Sequence, residues 1–370
     1  MFSKRAEWNA AVNRLTIARQ NYRGTLLDLT NSNPTRAGLP YPLDELAEIM
    51  GRATRATYDP QPLGIAAARE AVARELGCDA DDIVITASTS EAYSFLFKLL
   101  CDPGDAVLTA KPSYPLLEHL AALELIELHY FPLEFHKRWE VDRARMNEAL
   151  TESTRAVLVV NPNNPTGSYI TTAEQDAIAS LRVPLISDEV FHPFAFGDAA
   201  PSFVRDDVLT FTLGGLSKSA GLPHNKLGWI RVSGPGKSEA IEALEMIADN
   251  FLSVATPVQV ALPELLAIAP RIREAIQTRT SGNLASLQTM IARDPSAAVL
   301  PVEGGWSAVI RVPRIESDEA LALRLIEEHG VIVHPGYFFD FAADGYIVVS
   351  LLTEPEIFNE GIARIIAARS

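Results

Sequence analysis

The segment Leu213-Gly-Gly-Leu-Ser-Lys-Ser-Ala-Gly-Leu-Pro-His-Asn-Lys-Leu-Gly-Trp229 sets one lysine, Lys218, among small residues at the end of an apolar run. Glycines there let backbone approach a bound group closely. A lysine in a partly dry pocket has a lowered pKa, and its neutral amine can attack a carbonyl and form a Schiff base. Taken alone, Lys218 reads more simply as a solvated loop lysine, as most lysines are. Its company changes that reading. A carboxylate, Asp188, follows a short apolar run. A turn of amides and prolines, Asn161-Pro-Asn-Asn-Pro-Thr-Gly167, follows another. Ser88, Thr89 and Ser90 open a helix after a third, and Tyr114 lies in a proline-flanked turn after a fourth. Hydroxyls at a helix start are good N-caps, and they also mark a place where free N–H groups and the helix dipole can hold an anion.

These residues need a frame. Apolar runs at Ile83–Thr86, Ala106–Thr109, Leu125–Phe131, Ala156–Val160, Pro184–Ser187, Val208–Leu213 and Leu227–Val232 alternate with helical patterns. The alternation predicts an α/β fold with a large domain whose mostly parallel, seven-stranded sheet is covered by helices. In such sheets ligands bind beyond the carboxyl ends of the strands, and every residue named above falls there. One shared site explains that better than several unrelated loops.

Outside this frame, Ser3–Gln20 reads as a helix carrying Trp8, Val12, Leu15 and Ile17 on one side. Val141–Leu150 also reads as helical. Lys237–Thr280 is a long helical region with a break near Pro257, and Leu284–Arg293 is a second helix. The C-terminal strands and helices, with the N-terminal segment, predict a smaller α+β domain. The expected division is 1–40 for an N-terminal arm and part of the small domain, 41–280 for the large domain and 281–370 for the small one.

The chain has 370 residues and a net charge of −15, which argues against nucleic acid or an anionic membrane as partner. Two distant cysteines, Cys78 and Cys101, form neither a disulfide framework nor a metal site. With no signal-like or membrane-length segment in the sequence, the expectation is a cytoplasmic protein with no metal.

A small aromatic group bearing an aldehyde, a ring nitrogen and a phosphate would use the whole set. Lys218 supplies the amine, Asp188 a carboxylate for the protonated ring nitrogen, Tyr114 a stacking platform and Asn164 a donor for a ring oxygen. Ser88, Thr89, Ser90, Ser217 and Lys226 supply hydroxyls, N–H groups and a cation for phosphate. Pyridoxal 5'-phosphate is the cofactor that asks for this set. With Tyr58 and Gly64, Asp188-Glu-Val and His334-Pro-Gly-Tyr337, the order of motifs resembles the class I/II pyridoxal-phosphate-dependent aminotransferases of the aspartate aminotransferase fold, over nearly the whole chain.

The resemblance implies amino-group transfer between an amino acid and a 2-oxo acid, with Lys218 and Asp188 as catalytic residues. It also implies a homodimer in which Tyr58 reaches the neighbouring subunit's phosphate. Three departures stand out. Phe191 replaces a usual tyrosine, with His192 as a substitute donor. Lys226 replaces a usual arginine, and Gly215 takes a place where a hydroxyl is common. Val348 stands where an arginine usually grips the substrate carboxylate. Asn33, Arg36 and Tyr337 are the candidates to touch substrate instead. Val348 also keeps open another reaction on the same fold: a β-elimination lyase, a decarboxylase or an oxidase. Phe191, Phe194, Phe196, Trp306, Tyr337, Phe338 and Phe339 suit an apolar or aromatic substrate if they face the site, and the core if they do not.

Overall fold

The computed structural model describes residues 3, 5 and 11–369. Its centre is an eight-stranded sheet. In chain order the strands are β1 (Ile83–Thr86), β2 (Ala106–Lys111), β3 (Glu127–Phe135), β4 (Trp139–Val141), β5 (Thr154–Val160), β6 (Leu185–Asp188), β7 (Thr210–Gly215) and β8 (Gly228–Ser233). Their spatial order is β1-β8-β7-β6-β5-β2-β3-β4. Strands β7, β6, β5, β2 and β3 are parallel neighbours, and β8 runs against both β1 and β7.

The seven expected strands are present, and β4 adds an eighth. It forms an antiparallel hairpin with β3, Phe135 opposite Trp139, closed through Lys137 at φ 73°. Trp139 is buried and its ring lies 5.4 Å from Phe135. That cross-strand aromatic pair takes residues 139–141 into the sheet. The following helix therefore starts at Arg143, where Asp142 caps it by accepting N–H bonds from Ala144 and Arg145.

The central strands are apolar because helices cover both faces. All residues of β6 and β7 are buried. On one face Phe95, Leu96 and Leu244 pack on Leu158, Ile186 and Phe211. On another, Ile85, Leu227 and Trp229 bury against Val72, Leu262 and Leu265.

A second, four-stranded antiparallel sheet joins Ala298–Val299, Ser307–Arg311, Tyr346–Ser350 and His334–Pro335. The N-terminal segment packs with it: Leu15, Ala18, Leu27 and Leu29 share a core with Ile310, Leu325, Ile347 and Phe358. Leu27–Asp28 pairs in parallel with Val331–Ile332. Ser350 clamps the next residues, its N–H donating to Leu29 O at 2.7 Å and its hydroxyl to Asn31 O at 2.6 Å.

Two helices differ from the sequence reading. The N-terminal one is described only as Arg14–Asn21, and Trp8 lies outside the described residues. Leu15 is buried there, but Val12 and Ile17 are exposed. Thr256–Ile291 is one 36-residue helix, with Pro257 in its first turn and Pro263 and Pro270 inside. The chain breaks at residues 250–255, just before Pro257, while Leu284–Arg293 largely continues that helix through residue 280. Its buried face runs from Val258 to Ile291, so one stripe spans both cores.

Candidate active site

The carboxyl ends of the parallel strands and the start of antiparallel β8 meet at one edge of the large sheet. There a cavity of about 360 Å³ is lined by Ser88, Thr89, Ser90, Tyr114, Asn164, Asp188, Ser217, Lys218 and Lys226, among others. The sequence placed these after five different strands, and the topology brings all nine to one cavity.

Lys218 lies in the short helical turn Leu216–Ser219 directly after β7. The turn is pinned on both sides. Leu216 N–H donates to Leu227 O, Leu222 N–H donates back to Leu216 O, and Ser219 Oγ donates to Val190 O at 3.1 Å. Lys218 Nζ is 3.5 Å from Ser32 O and 5.3 Å from the centre of the Trp306 ring. Burial lowers the ammonium's pKa below the ordinary lysine value, against the pull of Asp188. A larger share of neutral amine follows, as a carbonyl nucleophile requires.

Asp188 ends β6 and is 7% exposed. Burial raises its pKa, while bonds from Tyr93 and from Val190 N–H, and the charge of Lys218, lower it. Tyr93 Oη donates to Asp188 Oδ2 at 2.5 Å, and Val190 N–H donates to Oδ1 at 3.1 Å. Tyr93 was not foreseen. It sits among Ala92, Phe95, Leu96 and Phe97 on the buried face of its helix, where an aromatic residue reads as core. The missed signal is its hydroxyl, since a buried phenol needs a partner.

The Asn-Pro-Asn-Asn-Pro-Thr-Gly turn divides its work. Asn161 is buried, its amide donating to Glu189 Oε1 and its Oδ1 accepting from Ile170 N–H. Asn163 is also buried and donates to Pro112 O and Thr166 Oγ1. Asn164 faces the cavity; its Oδ1 accepts from the Ser307 hydroxyl at 3.5 Å, so its Nδ2 can donate inward.

Opposite these groups the helix Thr89–Leu100 begins. Ser88 is its N-cap, its Oγ accepting Glu91 N–H at 3.3 Å. The first-turn N–H groups have no partner within the helix. Gly228 lies against them: a Cβ there would stand 2.9 Å from Ser88 C and 3.1 Å from Thr89 N. Lys226 and Ser217 complete this end. An amine, a buried carboxylate, an inward amide, and an anion cradle with its own cation match the aldehyde, ring nitrogen, ring oxygen and phosphate of pyridoxal phosphate. The residues fit that group.

Other expected residues lie elsewhere. Tyr58 is 66% exposed and lines a separate cleft with Asp59, Gln61 and Leu252. Asn33 does not line the cavity, because its side chain accepts from Thr35 N–H and Thr35 Oγ1 to cap a short turn. Arg36 is exposed at the end of that turn and does not line the cavity either. Tyr337 is 39% exposed, edge-on to Phe338 and outside the lining. Val348 is buried in the small sheet opposite Val309 and His334, so no charge occupies that register. Phe191 and Trp306 do line the cavity, their rings 5.2 Å apart. Phe194 and Phe339 are core. His192 hydrogen-bonds Ala200 O at 3.0 Å and is not in the lining, which removes it as a substitute for the missing phenol.

Among the described residues there is no group of side chains suited to a metal ion, and no helix long and apolar enough to cross a membrane.

Comparison with known proteins bears on the family and the fold. The family model Aminotransferase class I and II matches residues 26–365. Nicotianamine aminotransferase 1 of Oryza sativa subsp. japonica is 32% identical over 224 residues, 56% of this chain and 45% of that protein. Alanine aminotransferase of Mycobacterium tuberculosis (strain ATCC 25618 / H37Rv) is 27% identical over 346 residues, 87% of this chain and 80% of that protein. The chain thus spans only 45% and 60% of the nicotianamine aminotransferases of rice and barley (the B form) that it matches. The solved structure of alanine aminotransferase from Pyrococcus furiosus superposes with a TM-score of 0.90 at 23% identity, covering 99% of both chains. At that identity the likeness shows the fold.

Proposed function

This chain belongs to the class I and II aminotransferases, and from that premise we propose that it moves an amino group between a small-molecule amino acid and a 2-oxo acid. Enzymes of this family and fold use pyridoxal phosphate. The observation that carries the reading is the meeting of Lys218, Asp188, Asn164, Lys226 and the helix start at Ser88 in one cavity.

When bound, the cofactor supplies an electron sink for the carbon that carries the migrating amino group. The chain's residues do the rest. Lys218 Nζ would hold the cofactor through its carbonyl carbon at rest; once free, its amine would carry the proton from the substrate's α-carbon to that carbonyl carbon. Asp188 would keep a proton on the ring nitrogen. Asn164 Nδ2 would donate to the ring oxygen, and Tyr114 would supply a stacking surface. Ser217, Lys226 and the N–H groups of Thr89 and Ser90 would hold the phosphate. Phe191 and Trp306 exclude water from the reacting carbon.

Among the described lining residues the cations are Lys218 and Lys226, with no arginine. The substrate carboxylate therefore falls to neutral donors: the second N–H of the Asn164 amide and the Ser32 hydroxyl. No observation favours a lyase, decarboxylase or oxidase. We further assign the functional unit as a homodimer in which exposed Tyr58 serves the partner's phosphate. The small domain is formed by the N- and C-terminal segments. The free thiols of Cys78 and Cys101 support a cytoplasmic setting.

The deciding experiment records the absorbance of the purified protein with cofactor, then adds single L-amino acids without an acceptor. Conversion of the visible band to a near-ultraviolet form, reversed by a 2-oxo acid, supports transfer and names the donor. A persistent band with pyruvate, ammonia, carbon dioxide or peroxide appearing overturns it.

A further inference from the structure

Asp188 has a partner that the expected chemistry does not require. Tyr93 is 7% exposed, borders the cavity and stacks on Phe97 with centroids 6.1 Å apart. Its hydroxyl reaches Asp188 Oδ2 at 2.5 Å, while Val190 N–H holds Oδ1. Each carboxylate oxygen therefore has one donor, and the side chain is fixed in orientation. The other charged groups near it are Lys218 and Glu189. Glu189 is already occupied: it accepts from Asn161, Ser187, Ser202 and the N–H of Phe203.

We propose that Tyr93 is a positioning residue: by donating to Oδ2 it pins the Asp188 carboxylate and weakens it as a base, so that a proton shared with the cofactor's ring nitrogen stays on the ring. The physical reason is simple. A carboxylate facing a protonated ring nitrogen competes with it for one proton. Burial favours the neutral acid, and each hydrogen bond to the carboxylate favours the ionised form. Within that low-dielectric setting a charge-assisted bond is stronger than a neutral one. Tyr93 thus works against the burial that the cavity floor imposes. The helix whose N-terminus opens the anion cradle also carries Tyr93 to the ring-nitrogen end, so one helix tunes both ends of the bound group.

This inference rests on the reading of Asp188 as the ring-nitrogen partner, and the test separates the two. Tyr93→Phe keeps the ring and removes the hydroxyl. Equilibrium dialysis of pyridoxal phosphate against the Tyr93→Phe enzyme is expected to give a dissociation constant raised roughly tenfold. The kcat is expected to fall with KM little changed. A merely structural ring would leave all three at wild-type values. Added to Asp188→Ala, the same substitution is expected to shift the constant by less than about twofold, because the hydroxyl has lost its partner. Wild-type binding and kcat in Tyr93→Phe, or an equal penalty in both backgrounds, overturns the proposal. If Tyr93→Phe alone does not fold, Asp188→Ala against the double variant still decides, both lacking the orphaned carboxylate: a tenfold difference overturns it. Unchanged binding in Asp188→Ala itself sinks the reading of Asp188, a separate failure.

Discussion

Lys218 Nζ stands 5.3 Å from the centre of the Trp306 ring. The lysine follows the last parallel strand of the large sheet, and the tryptophan directly precedes the small sheet's strand Ser307–Arg311. The amine is therefore walled by both units, which leaves it half-buried and partly dry without making it inert.

Lys218→Met keeps the apolar stem and removes the amine. The variant is expected to lose the visible band with added cofactor and to drop in turnover by at least about a thousandfold. Borohydride reduction and peptide mapping check the point: wild type should carry the cofactor on the peptide containing Lys218. Attachment at another lysine would refute the assignment.

Asp188 bears on stability as well as chemistry. Its folded pKa lies above the ordinary carboxylate value of 3.8. Folded protein therefore binds that proton more tightly than unfolded chain, and stability falls as pH rises through the folded value. The cofactor-free protein bears that cost wherever the carboxylate is ionised. Asp188→Asn is expected to raise its melting temperature by about 2 °C in the most alkaline buffer the fold tolerates, with the gain fading as the pH is lowered. A gain independent of pH would show that ionisation is not the cause.

Gly228 is small because Ser88 and Thr89 lie against it. Gly228→Ala must push the helix start away by a few tenths of an ångström, since the contacts of 2.9 and 3.1 Å are mostly backbone. Weaker cofactor binding is expected with a stability loss of about 1–3 kcal/mol. Denaturant melts and dialysis together test it; wild-type values in both would mean the cradle is looser than described.

Lys226→Met separates phosphate from ring. Binding of pyridoxal phosphate is expected to weaken about tenfold, and that of pyridoxal, which lacks the phosphate, to change little. Equal losses for both ligands would move Lys226 away from the phosphate.

Tyr58 has an outcome that depends on assembly. Mixed dimers of Tyr58→Ala and Lys218→Met subunits contain one site with both residues intact if sites are shared. Activity above the mean of the two parents is the expected result after mixing and re-association. Activity at that mean would place Tyr58 outside the partner's site.

The sequence was most legible where burial and function coincide. Apolar runs such as Ala156–Val160 announced buried strands, and the polar residues ending them announced the cavity. Legibility failed where one side chain decides. Nothing in the spacing of Tyr93 separates a phenol bonded to Asp188 from a core aromatic, because both lie on the same helix face. The hairpin at Phe135 and Trp139 depends on a cross-strand contact that local periodicity does not record. The long helix Thr256–Ile291 looked divisible because helical breaks are inferred from residue types, and its continuity is set by two cores it touches at once. Asn33 and Arg36 looked available because a turn rich in polar groups shows donors without showing that Thr35 has already engaged Asn33.

Ser350 fastens the stretch that brings the Ser32 carbonyl to Lys218, although Asn31 and Ser350 are 319 positions apart. A ribosome therefore makes this wall 319 residues before its fastener. The eight-stranded sheet can assemble while the chain is still being made, yet its mouth stays open until the last strand emerges. Until then Lys218 would lack part of the burial that lowers its pKa, and the arrival of that strand is what arms the site.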